Sequence, residues 1–170
     1  MSNLQQELSL IYHRRFSRTA AYRNRVWQVL TKDFFARWVR PTDTVLDLGC
    51  GYGEFINNIA AARKLAMDLN PDAPKHLQAG VEFLHQDCSA PWAVAENSLD
   101  VVFTSNFFEH LPDKPALNRT LQQARRALKP GGRLIALGPN LKYLHGQYWD
   151  FYDLHVYLTE ASLGEAMEVS

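Results

Sequence analysis

The spacing of apolar residues changes character once along this chain. From Leu4 to Val39 there is no Gly or Pro, and Val26, Leu30, Phe34 and Trp38 recur at a four-residue interval. That interval predicts an amphipathic helix with this stripe on the core, ended by Pro41. Beyond it, short apolar runs alternate with helical spacing. The runs at 44–48, 64–68, 81–86, 99–105 and 133–137 predict five strands. The run at 99–105 is almost wholly apolar, as expected of a strand buried on both faces.

Helical stretches lie between these runs. One continues through Phe55, Ile56 and Ile59, and a short one follows Asn70-Pro71-Asp72. A longer one carries Leu117, Leu121, Ala124 and Leu128, with Asp113 as its cap and Pro115 in its first turn. Lys129-Pro130-Gly131-Gly132 stops it, and Thr159 to Val169 reads as one more helix. The alternation predicts an α/β fold: a doubly wound, mainly parallel sheet with helices on both faces. Such sheets bind ligands outside the carboxyl ends of their strands, so the loops after the strands carry the chemistry.

Composition changes this picture little. The chain has 170 residues, 46% of them apolar, which suits one domain with a real core. Lys+Arg and Asp+Glu both number 18, so no global charge draws it to nucleic acid or anionic membrane. Cys50 and Cys88 share no metal-ligand spacing, and no metal site is expected. No stretch reads as a signal peptide or bilayer span, so a cytoplasmic location is expected.

The chemistry concentrates at Val45-Leu46-Asp47-Leu48-Gly49-Cys50-Gly51-Tyr52-Gly53. Alternate glycines permit a tight turn and close approach of a ligand to bare backbone. Alone, such a loop suits several nucleotides. Glu54 follows where the dinucleotide fingerprint wants a small residue, and an acid at a helix start repels a pyrophosphate. A cationic or zwitterionic ligand escapes that objection. Asp47 can order the turn and attract an ammonium. Asp68 ends the next strand, where an acid accepts the hydroxyls of an adenosine ribose.

This segment resembles motif I of class I, Rossmann-like S-adenosylmethionine-dependent methyltransferases. The likeness continues in order over roughly residues 42–140. Gln86-Asp87-Cys88 resembles the loop that meets adenine, and Thr104 to Leu111 resembles the strand exit lining the transfer site. Leu128 to Leu134 resembles the family's helix-to-strand turn. The resemblance implies S-adenosyl-L-methionine as cofactor. It implies contacts from Asp47, Gly49, Cys50, Gly51, Gly53, Asp68, Leu69, Asp87, Cys88 and Asn106. Residues 1–40 would form a helical lid and 41–170 the binding domain. The family's closing strand pair finds no room before Ser170, so the fifth strand is expected to be an open edge that invites self-association.

The acceptor is expected to be a small molecule, lipid or sugar, with nucleic acid disfavoured. Methyl transfer needs the acceptor held in line and water excluded, and a base only if a proton must leave. His110, Asp150 and His155 are the candidates for that base. The aromatic-rich stretch from Tyr143 to Tyr157, which includes His145, follows the fifth strand and suits an acceptor wall. Tyr12, His13, Arg14, Arg15, Phe16, Arg18, Tyr22, Arg23 and Arg25 suit a lid or a solvated face. Two other readings remain open: a binding module without turnover, and a nucleotide-dependent oxidoreductase.

Overall fold

The computed structural model describes residues 19–144 and 146–170. The start of the expected first helix, the cluster from Tyr12 to Arg18, and His145 lie outside them. Five strands form one sheet: β1 (Thr44–Leu48), β2 (Arg63–Asp68), β3 (Val81–His85), β4 (Leu99–Ser105) and β5 (Leu128–Leu137). Their order is β3-β2-β1-β4-β5, and every pairing is parallel. The order reverses between β1 and β4, which opens the crevice where such sheets bind ligands.

The N-terminal helix corrects the sequence reading. It runs as an α-helix, α1 (Ala20–Val29), then widens into a π-turn over Leu30–Phe34 and tightens into a 3-10 turn over Phe35–Arg37. The core-facing stripe is half-buried Trp27 with buried Thr31, Phe35 and Val39, one residue on from the expected Val26 to Trp38 stripe. Phe35 is 2% exposed and Phe34 is 42%. Both stripes repeat every four residues, but the second is interrupted by the polar Thr31. Its hydroxyl donates to the Trp27 carbonyl at 2.7 Å, which satisfies it inside the core. Trp27 and Phe35 then close on Phe55 and Phe103, two rings stacked 3.5 Å apart.

The rest follows local chemistry. Helix α2 (Glu54–Asn58) leaves the glycine turn. Helix α3 (Lys114–Ala127) starts at Asp113, whose carboxylate accepts the Ala116 amide at 2.7 Å. Its apolar face, with Leu117, Leu121 and Ala124, joins a core cluster with Leu46, Leu48 and Val102. The chain passes from α3 into β5 through a bulge. Leu99 pairs with Leu128 and Val101 already pairs with Arg133, so Lys129-Pro130-Gly131-Gly132 loops out. Lys129 ties it down by an ion pair to Asp100 at 2.8 Å. Helix α4 (Glu160–Val169) begins with a reciprocal cap between Thr159 and Ser162 and packs Leu163, Ala166 and Met167 toward the α3 core. β5 and β3 are the two sheet edges among the described residues. No helix among them is long and apolar enough to cross a membrane.

The shifted stripe is testable by urea unfolding. Phe35→Ala should cost about 3–5 kcal/mol, as for a fully buried aromatic. Val26→Ala should cost under about 1 kcal/mol. The reverse ranking would restore the stripe read from the sequence.

Candidate functional site

β1 delivers the chain into a turn in which Gly49, Gly51 and Gly53 have φ of +68°, +53° and +73°. A side chain at Gly49 would also strike Phe107, whose ring carbon lies 2.2 Å from where a Cβ would stand. Only glycine meets both demands. Four amides of the turn are already engaged. Gly49 and Cys50 donate to the Met67 carbonyl at 2.9 and 3.1 Å, Gly51 to Asp68 Oδ2 at 2.7 Å, and Gly53 to the Cys50 carbonyl at 2.8 Å. A phosphate cradle needs such amides turned toward its ligand. This turn instead offers bare carbon and a carboxylate.

The objection drawn from Glu54 changes accordingly. Its side chain pairs with Arg23 of α1 at 2.8 Å, so its charge is offset. The engaged amides, rather than Glu54, are what disfavour a pyrophosphate.

Asp68 sits at the tip of β2. Its Oδ2 accepts from Gly51 and its Oδ1 from the Asn70 amide, both at 2.7 Å. Each oxygen keeps a second lone pair for a ligand hydroxyl. Burial holds its carboxyl above the usual aspartate range, against the pull of the Asn70, Gly51 and Leu69 amides and of His85. Asp47 is 3% exposed. Burial raises it well above that range, the Ile56 amide pulls it down, and the charges of Glu54 and Asp68 push it up again. Among the described residues, neither Asp47 nor Asp68 has a Lys or Arg within ion-pairing distance. Two desolvated carboxylates therefore face the turn without a cation of their own.

The flanking candidates divide. Leu69 is exposed beside this pair and lends its carbonyl to His85 Nε2 at 3.0 Å. Asp87 is exposed and accepts both the amide and the hydroxyl of Ser89, at 2.8 and 2.9 Å, as a turn former. Cys88 is core: its carbonyl accepts Trp92 Nε1 at 2.7 Å, and burial pushes its thiol up to about 11. Cys50 is buried as well, and burial raises its thiol further still. Neither thiol is a nucleophile at neutral pH.

Beyond β4, Asn106 takes a left-handed φ of +48°, donates its amide to the Leu137 carbonyl at 2.8 Å, and so aims Phe107 back over Gly49. A 3-10 turn over Phe108–His110 follows. The segment after β5 is fastened to this turn. His155 and Val156 amides donate to the Glu109 carbonyl at 2.8 and 3.1 Å, and the Tyr148 hydroxyl donates to Glu109 Oε1 at 2.9 Å. His110 Nδ1 lies 3.1 Å from Asp153 Oδ2 and 3.0 Å from the Asp153 carbonyl. Of the three base candidates, His110 is thus held by a carboxylate, while Asp150 and His155 are exposed. Glu109 and Asp153 carry more of this region than their sequence context suggested. The signal for Glu109 was its place beside His110 at a strand exit.

A family model described as a methyltransferase domain matches residues 18–169. The chain belongs to the methyltransferase domain family. Phosphoethanolamine N-methyltransferase 1 of Arabidopsis thaliana is 31% identical over 116 residues, 62% of this chain and 23% of that protein. The 27-O-demethylrifamycin SV methyltransferase of Amycolatopsis mediterranei is 34% identical over 113 residues, 59% of this chain and 39% of its own length. The chain therefore spans less than half of these relatives. A structure of the Haloferax volcanii Trm112 methyltransferase activator in complex with a methyltransferase aligns at a TM-score of 0.74 and 24% identity, over 91% of this chain and 72% of the other. An S-adenosylmethionine-dependent methyltransferase from Archaeoglobus fulgidus aligns at 0.72 and 22% identity, over 86% and 67%. The fold is the class I methyltransferase fold, and its cofactor is S-adenosyl-L-methionine. The site fits that cofactor: uncompensated carboxylates suit its ammonium and sulfonium, and the free lone pairs of Asp68 suit a ribose.

Membership makes Asp47 a test of function against stability. Its carboxyl is raised in the fold, so its contribution is fully favourable only below the ordinary aspartate value near 4 and is lost as pH rises through the folded value. Asp47→Asn should raise the apo melting temperature at neutral pH by about 2–4 °C, a gain that vanishes near pH 4. The same change should weaken S-adenosylmethionine binding. Equal melting curves across the pH range would contradict the desolvation account.

Proposed function

We propose that this chain transfers a methyl group from S-adenosyl-L-methionine to a small-molecule acceptor, with His110 taking the acceptor's proton. The observation that carries the reading is the pair of desolvated carboxylates, Asp47 and Asp68, beside a glycine turn whose amides are engaged. In this assignment Asp68 holds the ribose hydroxyls, Asp47 offsets the positive charge of the methionine portion, and exposed Leu69 lies under the adenine. The same assignment puts Asp87 and Asn106 at the rim of that crevice and Cys88 in the core beneath it. The bound cofactor supplies an already activated methyl group.

The chain's own work is then positional. The small-molecule acceptors named for the relatives from Arabidopsis and Amycolatopsis support the same class here over a lipid or sugar. The contact of Asp153 with His110 Nδ1 selects the tautomer that leaves Nε2 free to accept a proton. Asp153 is a positioning residue in this scheme. Arg23 on Glu54, and Asn24 donated to by Asn58 at 2.9 Å, dock α1 beside the turn, which supports a lid role for residues 1–40. The edge position of β5 among the described residues supports self-association. The glycine turn and the His110–Asp153 pair favour turnover over passive binding.

Titration calorimetry should show S-adenosylhomocysteine binding and no NAD binding. Asp68→Ala should abolish the former. His110→Gln should leave that binding intact while slowing labelled methyl transfer by about 10²–10⁴-fold. Binding of NAD in place of S-adenosylhomocysteine would overturn the assignment. An unchanged rate in His110→Gln would remove the base alone.

A further inference from the structure

The helical rod from Ala20 to Arg37, with Trp38 just past it, carries apolar side chains on two sides. Trp27, Thr31 and Phe35 face the core, while Tyr22, Val26, Val29, Phe34 and Trp38 are exposed, Tyr22 at 71% and Val29 at 58%. Tyr22, Val26 and Val29 follow one another at steps of four and three residues, which puts them on one helix face. In a regular α-helix Phe34 would lie about 140° round the axis from Val29. The π-turn changes that. The Phe35 amide donates to the Leu30 carbonyl, five residues back, and the wider turn brings Phe34 toward the outward face. Trp38 packs edge-on against Phe34, with ring centres 4.8 Å apart. Single exposed apolar residues are ordinary; five along one short rod mark a contact surface.

Charge narrows what that surface meets. Four exposed cations, Arg25, Lys32, Arg37 and Arg40, lie among these residues, and Asp33 is the one acid between residues 20 and 40. None of the four has an ion-pair partner among the described residues. The next acid, Asp43, accepts the Arg40 amide at 2.8 Å. A second copy of the chain would set like charges against like. A nucleic-acid strand would need free ring faces for its bases. Here the Arg37 guanidinium stands over the rings of Phe34 and Trp38, at 4.5 and 4.9 Å, and Val26 and Val29 offer nothing to stack or pair. An anionic bilayer surface suits the whole set: valines and rings enter the boundary between headgroups and acyl chains, and the cations meet lipid phosphates.

We propose that the outward face of this rod seats the protein on an anionic lipid surface as a peripheral contact. Five partly exposed side chains and four cations make that contact reversible and salt-sensitive. The chain as a whole carries no net charge, so the attraction is local to this face. The rod is fastened beside the glycine turn by Arg23 on Glu54 and by Asn58 on Asn24, so seating it holds the crevice close to the same surface. Such seating requires nothing of the cofactor or of the acceptor.

Co-sedimentation of the full chain with vesicles tests the seating. Vesicles of phosphatidylcholine and phosphatidylglycerol in equal parts should bind about tenfold or more tighter than phosphatidylcholine alone at low salt. That advantage should vanish near about 1 M salt, where charges are screened beyond about 3 Å. Tyr22→Ser with Val29→Ser, and separately Arg25→Glu with Lys32→Glu, should each weaken binding by about tenfold or more. All four side chains are exposed, so melting temperatures should move little. The comparison of the two vesicles with the unaltered chain stands by itself should a variant not fold. Equal binding to both vesicles, binding to neither, or variants that bind like the unaltered chain would overturn the proposal. So would a single-stranded oligonucleotide bound in preference to the vesicles, or a dimer at sedimentation equilibrium that Tyr22→Ser with Val29→Ser dissolves.

Discussion

Negative charge held out of water at the tips of two neighbouring parallel strands is the constraint around which this molecule is organised. Asp47 and Asp68 end up where solvent does not reach freely, and their carboxyls rise above the ordinary range as a result. Backbone amides soften that cost: Ile56 serves Asp47, while Gly51 and Asn70 serve Asp68. Delivering those amides requires a chain that reverses sharply three times, hence glycine at 49, 51 and 53. Covering the turn requires Phe107, which lies so close to Gly49 that no side chain fits between them. What the amides cannot supply is a full positive charge. In the proposed assignment a cofactor carrying an ammonium and a sulfonium supplies it, and the cost of burying the two acids is the counterpart of its affinity.

The two sides of the crevice do different work. On the β1–β2 side, rigid strand ends and a turn with most of its amides bonded form the proposed cofactor seat. On the β4–β5 side, two loops are stitched to each other by side chains: Glu109 to Tyr148 and His110 to Asp153. Loops of this kind vary readily on a fixed scaffold. That division explains why the likeness to solved methyltransferases extends over most of the chain at low identity, while the named relatives act on unrelated small molecules.

Much of this was legible in the residues before any coordinates. β1 and β4 fall where the apolar runs stand, because a central strand buried on both faces stays mostly apolar even where Asp47, Asp100 and Thr104 interrupt it. The Asp113 cap and the glycine turn were equally plain, since each depends on a single residue type at a single position. The buried stripe of α1 was misjudged because Thr31 hides its hydroxyl in a bond to the preceding turn, which no periodicity of hydrophobicity records. Glu54 was read as a bare charge because its partner, Arg23, is 31 positions away and brought near only by folding. For the same reason Asp150 and His155 stood level with His110: which acid meets which imidazole is decided by how the post-β5 segment lands, and Asp153 is the one that arrives.

The carboxyl carbons of Asp47 and Asp68 report on the central claim most directly. Their pH titrations can be followed by carbon-13 NMR in selectively labelled protein, alone and with saturating S-adenosyl-L-methionine. The account predicts midpoints above the ordinary aspartate value in the free protein and a clear downward shift when the positively charged cofactor is added. Ordinary midpoints in the free protein, or curves that ignore the cofactor, would contradict it.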